Sequence, residues 1–211
     1  MDPLVIEDIL PKRLYNDLEV LFSSPAIDWC FNADMTYSGN NMKNLPEKLR
    51  GIILNNPDFV KTPGVATRFV ENLEFHNEVL FRYVQPITYL LEEFLHKNHP
   101  DILPEDKKLI VLRAKANMLF RNNTTEDQCE MPHLDSVSSD LNFVYYVNES
   151  DGDTFLFNEK VFDIFDKFTI NKRVTPKPNR GVLFKNERWH TGSSPIKSPF
   201  RITINFNYII K

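Results

Sequence analysis

Polar and apolar residues alternate without a break from Arg201 to Tyr208. Neighbouring side chains of a β-strand point to opposite faces, so these residues form one polar and one apolar face. The apolar face suits a packed core, whereas a polar face turned inward is typical of a strand that lines a pocket. The run therefore favours a β-structure built around a site, and its polar face consists of Arg201, Thr203, Asn205 and Asn207.

The hydrophobic period changes near the middle of the chain. Pro11–Ser24 and Thr67–Lys97 carry apolar residues at helical spacing, and Pro86 is expected to kink or divide the second helix. Residues 25–66 are interrupted by proline and glycine, which predicts loops with short helical pieces. The period then becomes two, and strands are predicted at Ile110–Arg121, Leu141–Val147, Thr154–Phe157, Phe168–Val174, Gly181–Lys185 and Phe200–Ile209.

Helices followed by short strands indicate an α+β protein with a mainly β core. The 211 residues are enough for one domain with a substantial core, and no repeat or linker divides them. We therefore expect a single domain over residues 1–211. Residues 1–108 are expected to be mainly helical support, and residues 109–211 to form an antiparallel sheet pair braced by helices on one side.

Charge and cysteine content narrow the class of protein. The net charge of −4 lacks the basic footprint of a nucleic-acid-binding domain. No segment has the length and apolar character of a transmembrane helix, and Met1–Asp8 lacks the features of a signal peptide. The two cysteines, Cys30 and Cys129, do not make a disulfide framework. We expect a cytoplasmic protein whose partners include neither nucleic acid nor membrane.

Two histidines and one aspartate in the strand-rich half form a candidate metal site. His133 and Asp135 are two residues apart, so on a strand they share a face, and a second strand must supply His190. Two imidazoles and one carboxylate leave other metal positions open, as in the facial triad of non-haem Fe(II) oxygenases. Coincidence is the alternative, since His-x-Asp alone is a weak signal. The strand that begins at Arg201, shortly after His190, favours the metal site.

Further motifs carry a resemblance to a known family. The segment from about Lys115 to the end resembles the catalytic core of the 2-oxoglutarate and Fe(II)-dependent oxygenases, nearest to the prolyl 4-hydroxylase-like group. Val5–Pro11 also resembles the first strand and helix of that family, whereas residues 25–110 show little of it. The motifs, in the family's order, are Phe143–Asn148, Asp151–Phe157, Val174–Pro176, Gly181–Phe184 and Trp189-His190.

The resemblance implies a double-stranded β-helix, a relative of the jelly roll, with the amino-terminal helices packed on one sheet. It implies that His133, Asp135 and His190 bind Fe(II). It also implies that 2-oxoglutarate, the cosubstrate, chelates the metal through its keto and C1 carboxylate oxygens. Molecular oxygen is the other cosubstrate, and ascorbate is a further candidate cofactor.

The resemblance also implies that Arg201 binds the C5 carboxylate of 2-oxoglutarate. A guanidinium can bind a carboxylate through two charge-assisted hydrogen bonds and stays protonated when buried. Thr203 shares the face of Arg201, and Tyr146 matches a family tyrosine that reaches the same carboxylate. Asn205 and Asn207 are expected to line this cofactor pocket and to orient water or substrate. A surface role for Arg201 and core packing for Tyr146 are the alternatives.

The implied reaction is hydroxylation of an unactivated C–H bond, with a prolyl residue in a protein or peptide as the leading substrate. A small metabolite or a free amino acid is the alternative substrate. Arg201 stands where collagen-type prolyl hydroxylases have lysine, and the retained Asp135 argues against a halogenase. Two rival functions are a Zn(II) hydrolase on the same ligands and an inactive binding protein on the same fold. Arg201 disfavours the hydrolase, which has no general need for a carboxylate anchor.

The surroundings of the site suggest further roles. The polar loop Asn122–Met131 is a candidate lid over the substrate. Cys129 is expected to be a loop or buried thiol rather than a ligand, and His96 and His99 a pair at a helix end. Six basic residues can attract an acidic substrate or simply form a solvated face. They are Lys172, Arg173, Lys177, Arg180, Lys185 and Arg188.

Overall fold

The carboxyl-terminal half forms the centre of a large antiparallel sheet, and helices cover one of its faces. The computed structural model describes residues 1–35, 45–135, 138–161 and 163–211. Within these ranges the helices are α1 (Lys12–Ser23), α2 (Glu47–Leu54) and α3 (Glu78–Asn98). The strands are β1 (Leu4–Ile6), β2 (Cys30–Asn32), β3 (Phe59–Val60), β4 (Gly64–Glu71), β5 (Glu74–Phe75), β6 (Leu109–Phe120), β7 (Cys129–Glu130), β8 (Leu141–Tyr146), β9 (Thr154–Lys160), β10 (Ile170–Val174), β11 (Arg180–Lys185), β12 (Arg188–Gly192) and β13 (Phe200–Ile210).

The main sheet has the strand order β1-β11-β8-β13-β6-β4-β2, and β5 pairs with β4. Its longest pairing joins β13 to β6, from Phe200 opposite Phe120 to Ile210 opposite Leu109. The second sheet has the order β10-β9-β12, while β3 and β7 form a parallel pair. His133, just after β7, forms an isolated antiparallel bridge with His190 of β12. This bridge places the segment after β7 beside the second sheet.

The main sheet packs apolar side chains on both faces because neighbouring residues on a strand alternate. On one face, Phe143 of β8 belongs to a buried cluster with Phe22 of α1 and Ile87 of α3. On the other face, Tyr146 of β8 packs in a second cluster with Leu156 of the second sheet. The helices therefore cover one face of the main sheet, and the second sheet covers part of the other.

The predicted helix over Thr67–Lys97 is wrong in its first third. Residues 64–71 form β4, which pairs with β6 along most of its length. Asn72 and Leu73 then adopt positive φ angles of 53° and 69°, and α3 begins only at Glu78. The backbone hydrogen bonds that β6 offers decide the conformation here, since helical spacing of a few apolar residues is a weak preference by comparison.

Pro86 lies inside α3 without dividing it, so the predicted division is also wrong. Proline removes one backbone donor from a helix. The helix continues because Val84, Ile87, Leu91 and Leu95 are all fully buried on the side that faces the sheet.

Among the described residues, no helix combines the length and the apolar composition that a membrane crossing requires.

The amino-terminal half contributes more to the main sheet than the sequence indicated. It supplies the strands β1, β2 and β4 to the sheet, besides the helices α1, α2 and α3. Residues 25–66 contain β2, α2 and β3 besides loops, and the part of that prediction over residues 36–44 lies outside the described residues. The predictions of α1 and of the strands in the second half are confirmed within a few residues. Short edge strands escape a periodicity analysis because three residues do not define a period.

Asn179 fastens the start of the chain to the main sheet. It is buried, adopts a positive φ of 63°, and exchanges two hydrogen bonds of 2.8 Å with the backbone N–H and C=O of Leu10. Its side-chain oxygen also accepts a hydrogen bond of 3.2 Å from the Tyr145 hydroxyl. Asparagine tolerates the left-handed conformation better than most residues.

We predict that Asn179→Ala lowers the free energy of unfolding by about 3 kcal/mol, because three buried hydrogen bonds lose one partner. Urea denaturation followed by circular dichroism measures the change. Asn171→Ala, at an exposed position of β10, is the matched control and should change stability by less than about 0.5 kcal/mol. Equal stability of the two variants would contradict the role given to Asn179.

Candidate metal centre and cosubstrate cavity

The structure brings His133, Asp135 and His190 together. The backbone bridge between the two histidines has hydrogen bonds of 2.9 Å and 3.2 Å, and Asp135 follows two residues after His133. One potential ligand atom from each of the three side chains lies within 4.8 Å of the others. The bridge is what aligns two residues that are 57 positions apart in the sequence (190 − 133).

The protonation and orientation of these side chains suit a divalent metal ion. The Nδ1 atoms lie 3.3 Å from the backbone oxygens of Met131 and Arg188, so both Nε2 atoms are left for a ligand. Nε2 of His190 is buried without a hydrogen-bond partner, 3.4 Å from Oδ2 of Asp135. Such an orphaned nitrogen is what a metal ligand looks like without its ion.

Electrostatics also favour metal binding. Burial, together with the nearby His190, lowers the pKa of His133 to about 3, so its imidazole is neutral at pH 7. Burial alone would raise the pKa of Asp135, but His190, His133 and Lys115 outweigh it and hold that pKa well below its usual range. Metal ligands must be deprotonated, and these shifts favour that state in His133 and Asp135. The donor set of two imidazoles and one carboxylate fits Fe(II).

Asn207 and Arg113 position the carboxylate of Asp135. The Asn207 amide donates to Oδ2 of Asp135 at 3.1 Å and to Oδ1 of Asn142 at 2.7 Å. Nη1 of Arg113 lies 3.5 Å from the other Asp135 oxygen, while its Nε donates to Glu71 at 3.2 Å. The structure therefore places Asn207 against the candidate metal ligand, and not on the cavity where the sequence analysis expected it.

A cavity adjoins the metal ligands on the inner face of β13. Its lining includes His133, His190, Arg201, Thr203 and Asn205. All five were predicted from the alternation of β13 and from the His motifs. The sequence analysis assigned no role to further lining residues, among them Lys115, Asn117, Glu130 and Thr154. Alternation along β6 could have found Lys115 and Asn117, since both interleave with the apolar residues of that strand.

Arg201 is a buried cation without an acidic partner. Arg201 is only 5% exposed to solvent, and its Nη2 donates to Oγ1 of Thr154 at 2.7 Å. Its Nε has no hydrogen-bond partner, and no carboxylate of the described residues forms an ion pair with it. Burial lowers the pKa of Arg201, and the nearby Tyr146, Glu130 and Asp153 offset this effect only in part. A carboxylate ligand would supply the missing partner.

Two glycines make room for the Arg201 side chain. A Cβ atom at Gly192 would lie 3.0 Å from Nη1 of Arg201, and one at Gly152 would lie 3.0 Å from its Cδ and 2.5 Å from the backbone oxygen of Ser193. Any larger residue at these positions would push the guanidinium out of place. Gly152 belongs to the Asp151–Phe157 motif of the sequence analysis, and the contact gives this motif a structural reason.

Tyr146 acts on Arg201 through Thr154. Its hydroxyl donates to Oγ1 of Thr154 at 2.8 Å, the same oxygen that accepts from Arg201. The guanidinium carbon lies 5.9 Å from the centre of the Tyr146 ring. Tyr146 is thus close to the predicted carboxylate anchor, while its hydroxyl is occupied by Thr154, a residue that the sequence analysis did not assign.

Glu130 adds a buried acid to the same cavity. It is hydrogen-bonded to the Thr62 hydroxyl, and burial raises its pKa to about 7. The neighbouring Cys129 is buried, and burial raises the pKa of its thiol to about 12. Cys129 is therefore a protonated core thiol, as the sequence analysis expected. His96 lies near the end of α3, where Nε2 lies 2.9 Å from the Lys107 backbone oxygen.

The predicted basic face is largely occupied by contacts within the chain. Arg180 pairs with Glu7 at 2.6 Å, and Arg188 is buried and donates to the Phe157 backbone oxygen at 2.7 Å. Arg173 pairs with Asp153 at 3.0 Å and donates to the backbone oxygen of Glu126, in the loop predicted to be a lid. These contacts reduce the charge available to an acidic substrate, so the attraction expected from the sequence is weakened.

Comparison with known proteins agrees with this geometry. A sequence profile described as the 2OG-Fe(II) oxygenase superfamily matches residues 118–209. The solved structure of a prolyl hydroxylase from Trichoplax adhaerens, in complex with a hypoxia inducible factor oxygen degradation domain peptide fragment, is similar with a TM-score of 0.57. That protein is 12% identical, and the match covers 98% of this chain and 83% of the other. No curated protein sequence matches the chain.

Two further structures show the same fold. A Pseudomonas putida prolyl-4-hydroxylase is 11% identical with a TM-score of 0.54, covering 98% of this chain and 91% of the other. The non-heme alpha ketoglutarate dependent epimerase SnoN from nogalamycin biosynthesis is 8% identical with a TM-score of 0.55, covering 98% and 78%. The predicted double-stranded β-helix is thereby confirmed. The resemblance to the 2OG-Fe(II) oxygenase superfamily is confirmed as well.

We predict that Asn207→Ala weakens binding of a divalent metal by about tenfold to a hundredfold, because the Asp135 carboxylate loses the group that orients it. Asp135→Ala, which removes the anionic ligand, sets the upper limit of the loss. Isothermal titration calorimetry with Mn(II) compares the two variants with the unmodified chain. If Asn207→Ala binds Mn(II) as tightly as the unmodified chain, Asn207 does not position the ligand.

Proposed function

We propose that this protein is an Fe(II)- and 2-oxoglutarate-dependent dioxygenase that hydroxylates an unactivated C–H bond. The observation that carries the proposal is the pairing of two features in one cavity. One is the cluster of His133, Asp135 and His190, and the other is the buried guanidinium of Arg201, which forms no ion pair with a carboxylate of the described residues. A metal site alone fits many reactions, whereas a metal site beside a buried carboxylate anchor fits a dicarboxylate cosubstrate.

Different side chains would bind the metal and the cosubstrate. His133, Asp135 and His190 would hold the metal, and Arg201 with Thr203 would hold the C5 carboxylate of 2-oxoglutarate. When bound, the metal and 2-oxoglutarate supply the oxidising chemistry, in which O2 oxidises the C–H bond while 2-oxoglutarate is converted to succinate and carbon dioxide. Ascorbate is an additional reductant to be included in assays.

The contribution of the protein is position and exclusion of water. The Thr154 hydroxyl, held by Tyr146, accepts from Arg201 and so orients the guanidinium toward the cavity. His190 and Thr203 are buried, so the inner end of the cavity is shielded from solvent. Electrostatic interactions are stronger in such a site, which favours the binding of an anionic cosubstrate.

The two rival functions receive less support. A Zn(II) hydrolase on the same ligands leaves the buried charge of Arg201 without a purpose, since water activation needs no carboxylate anchor. An inactive binding protein leaves the aligned ligand set unexplained, because simple binding does not require two imidazoles and one carboxylate to converge. The cytoplasmic location inferred from the cysteine content stays a prediction.

The leading substrate is a prolyl residue in a protein or peptide. A cleft of about 890 Å³ opens beside His133 and Asp135, over the face of the paired strands β6, β4 and β2. It can admit a short extended segment as well as a small molecule. Two of the similar structures are prolyl hydroxylases, which supports the peptide, whereas the charged lining of the cleft supports a small metabolite or free amino acid as the alternative.

We predict that Arg201→Ala weakens binding of 2-oxoglutarate by about a hundredfold or more, because breaking a buried ion pair costs about 3–5 kcal/mol. Calorimetry with Mn(II)-loaded protein measures the affinity without turnover. Arg201→Lys keeps the charge but loses the bidentate geometry. Its affinity for 2-oxoglutarate should therefore lie between those of Arg201→Ala and the unmodified chain.

Arg82→Ala is the matched control for this experiment. Arg82 lies on the exposed side of α3 in an ion pair with Glu78, far from the cavity residues in the fold. Its loss should leave the affinity for 2-oxoglutarate unchanged. Equal affinity in Arg201→Ala and in the unmodified chain would remove the cosubstrate assignment.

We predict that peptides with proline in an accepted context gain one oxygen atom when Fe(II), 2-oxoglutarate, O2 and ascorbate are present. A peptide array read by mass spectrometry tests this, with His133→Ala as the inactive control. Activity restricted to a free amino acid or another small metabolite would contradict the peptide substrate while leaving the oxygenase function in place. Hydrogen exchange with and without an accepted peptide would then test whether residues 122–131 act as a lid.

A further inference from the structure

The inner face of β6 carries a lysine beside the metal ligands. Ala114 and Ala116 are fully buried in the core under the helices, so Lys115 between them points to the opposite face. There Lys115 lies opposite Asn205 of β13 on one side and Arg68 of β4 on the other. This register places the lysine between β13, which lines the cavity, and β4, which lines the cleft.

Lys115 lines both spaces of the site. It borders the cavity that contains Arg201, and it also borders the cleft proposed to admit the primary substrate. His133 and Asn117 border both spaces as well. The lysine therefore lies at the junction where a cosubstrate and a substrate would meet at the metal.

Two acids, Asp135 and Glu130, lie near enough to Lys115 to raise its pKa, but neither forms an ion pair with it. Among the residues that the structure describes, none forms an ion pair or a hydrogen bond with it. Arg113 and Arg68, which flank it in the cleft, are instead paired with Glu71 at 3.2 Å and 4.0 Å. Lys115 is thus left without an ion pair at the junction, while Arg113 and Arg68 share the carboxylate of Glu71.

Burial and the nearby charge of Arg113 lower the pKa of Lys115 to about 8. The charged form is therefore disfavoured in the unliganded protein, and an anion at the junction would stabilise it. The anion should carry little charge, because Asp135 and Glu130 lie near Lys115 and because Asp28 and Asp34 line the same cleft. These acids would repel a doubly charged phosphate more strongly than a single carboxylate.

We propose that Lys115 binds a carboxylate at the junction of the cavity and the cleft. The inference rests on the proposed function and extends it to the chemistry of the ligand. The carboxylate has two possible sources, the C1 carboxylate of 2-oxoglutarate and a carboxylate of the primary substrate. In the second case the substrates of this enzyme carry a carboxylate near the C–H bond that reacts. Lys115 would then favour substrates with a free carboxylate over a proline inside a neutral peptide.

The first arm of the test measures 2-oxoglutarate affinity. Calorimetry with Mn(II)-loaded protein compares the unmodified chain with Lys115→Met and Lys115→Arg. Lys108→Met, at an exposed position just before β6, is the matched control. If the C1 carboxylate is the ligand, Lys115→Met should weaken binding by about tenfold, and Lys115→Arg should restore most of it, as expected for a charge-assisted contact.

The second arm uses a pair of probes that differ only in the carboxylate. N-acetyl-L-proline and N-acetyl-L-proline amide are added to protein loaded with Mn(II) and 2-oxoglutarate, and the paramagnetic broadening of their NMR signals is measured. If the substrate supplies the carboxylate, the acid should be broadened more than the amide. Lys115→Met should abolish the difference, while Lys108→Met should keep it.

The outcomes separate the two proposals. Loss of 2-oxoglutarate affinity in Lys115→Met assigns the carboxylate to the cosubstrate, and loss of the probe difference alone assigns it to the substrate. Unchanged results in both arms, with melting temperatures that show folded variants, overturn the assignment of Lys115. Failure of the unmodified chain to bind 2-oxoglutarate with Mn(II) overturns the proposed function itself.

Discussion

One strand, β13, holds the architecture and the site together. Its period of two lets the same eleven residues bury Ile204 and Phe206 against the helices while presenting Arg201 and Thr203 to the cavity. Because β13 is central in the main sheet, both of its edges are paired, and its register with β6 and β8 is fully determined. The position of every cavity residue on the three strands follows from this register. A slip by one residue would exchange core and site.

Uncompensated polar groups mark the functional end of this structure. Nε2 of His190 and Nε of Arg201 are buried without partners, while Lys115 forms no ion pair. Asn117, Thr191 and Asn205 of the same cavity also have a buried side-chain atom without a partner, and so do Thr124, Trp189 and Ser194 outside its lining. Since unpaired buried groups cost free energy, their concentration around one cavity indicates that ligands complete the site.

Much of the site could be predicted from the sequence, and the exceptions have a common cause. Arg201, Thr203 and Asn205 line the cavity as the alternation of their strand indicated. Asn207 belongs to the same face, yet it contacts Asp135 because its place along the strand lies beyond the cavity. Tyr146 lies near Arg201, but Thr154 takes its hydroxyl. Alternation specifies to which face of the sheet a side chain points. Which groups it contacts there depends on the neighbouring strands.

The sequence by itself determined the strands of the second half, the helix α1, and the residues able to bind a metal and a carboxylate. These depend on local periodicity and on the chemistry of single side chains, both of which can be read along the chain. Only the tertiary structure decided that residues 64–71 form a strand, that His133 and His190 share a backbone bridge, and that Lys115 is left without an ion pair. Each of these depends on hydrogen bonds or charges supplied by distant segments, and such partners exist only once the chain has folded.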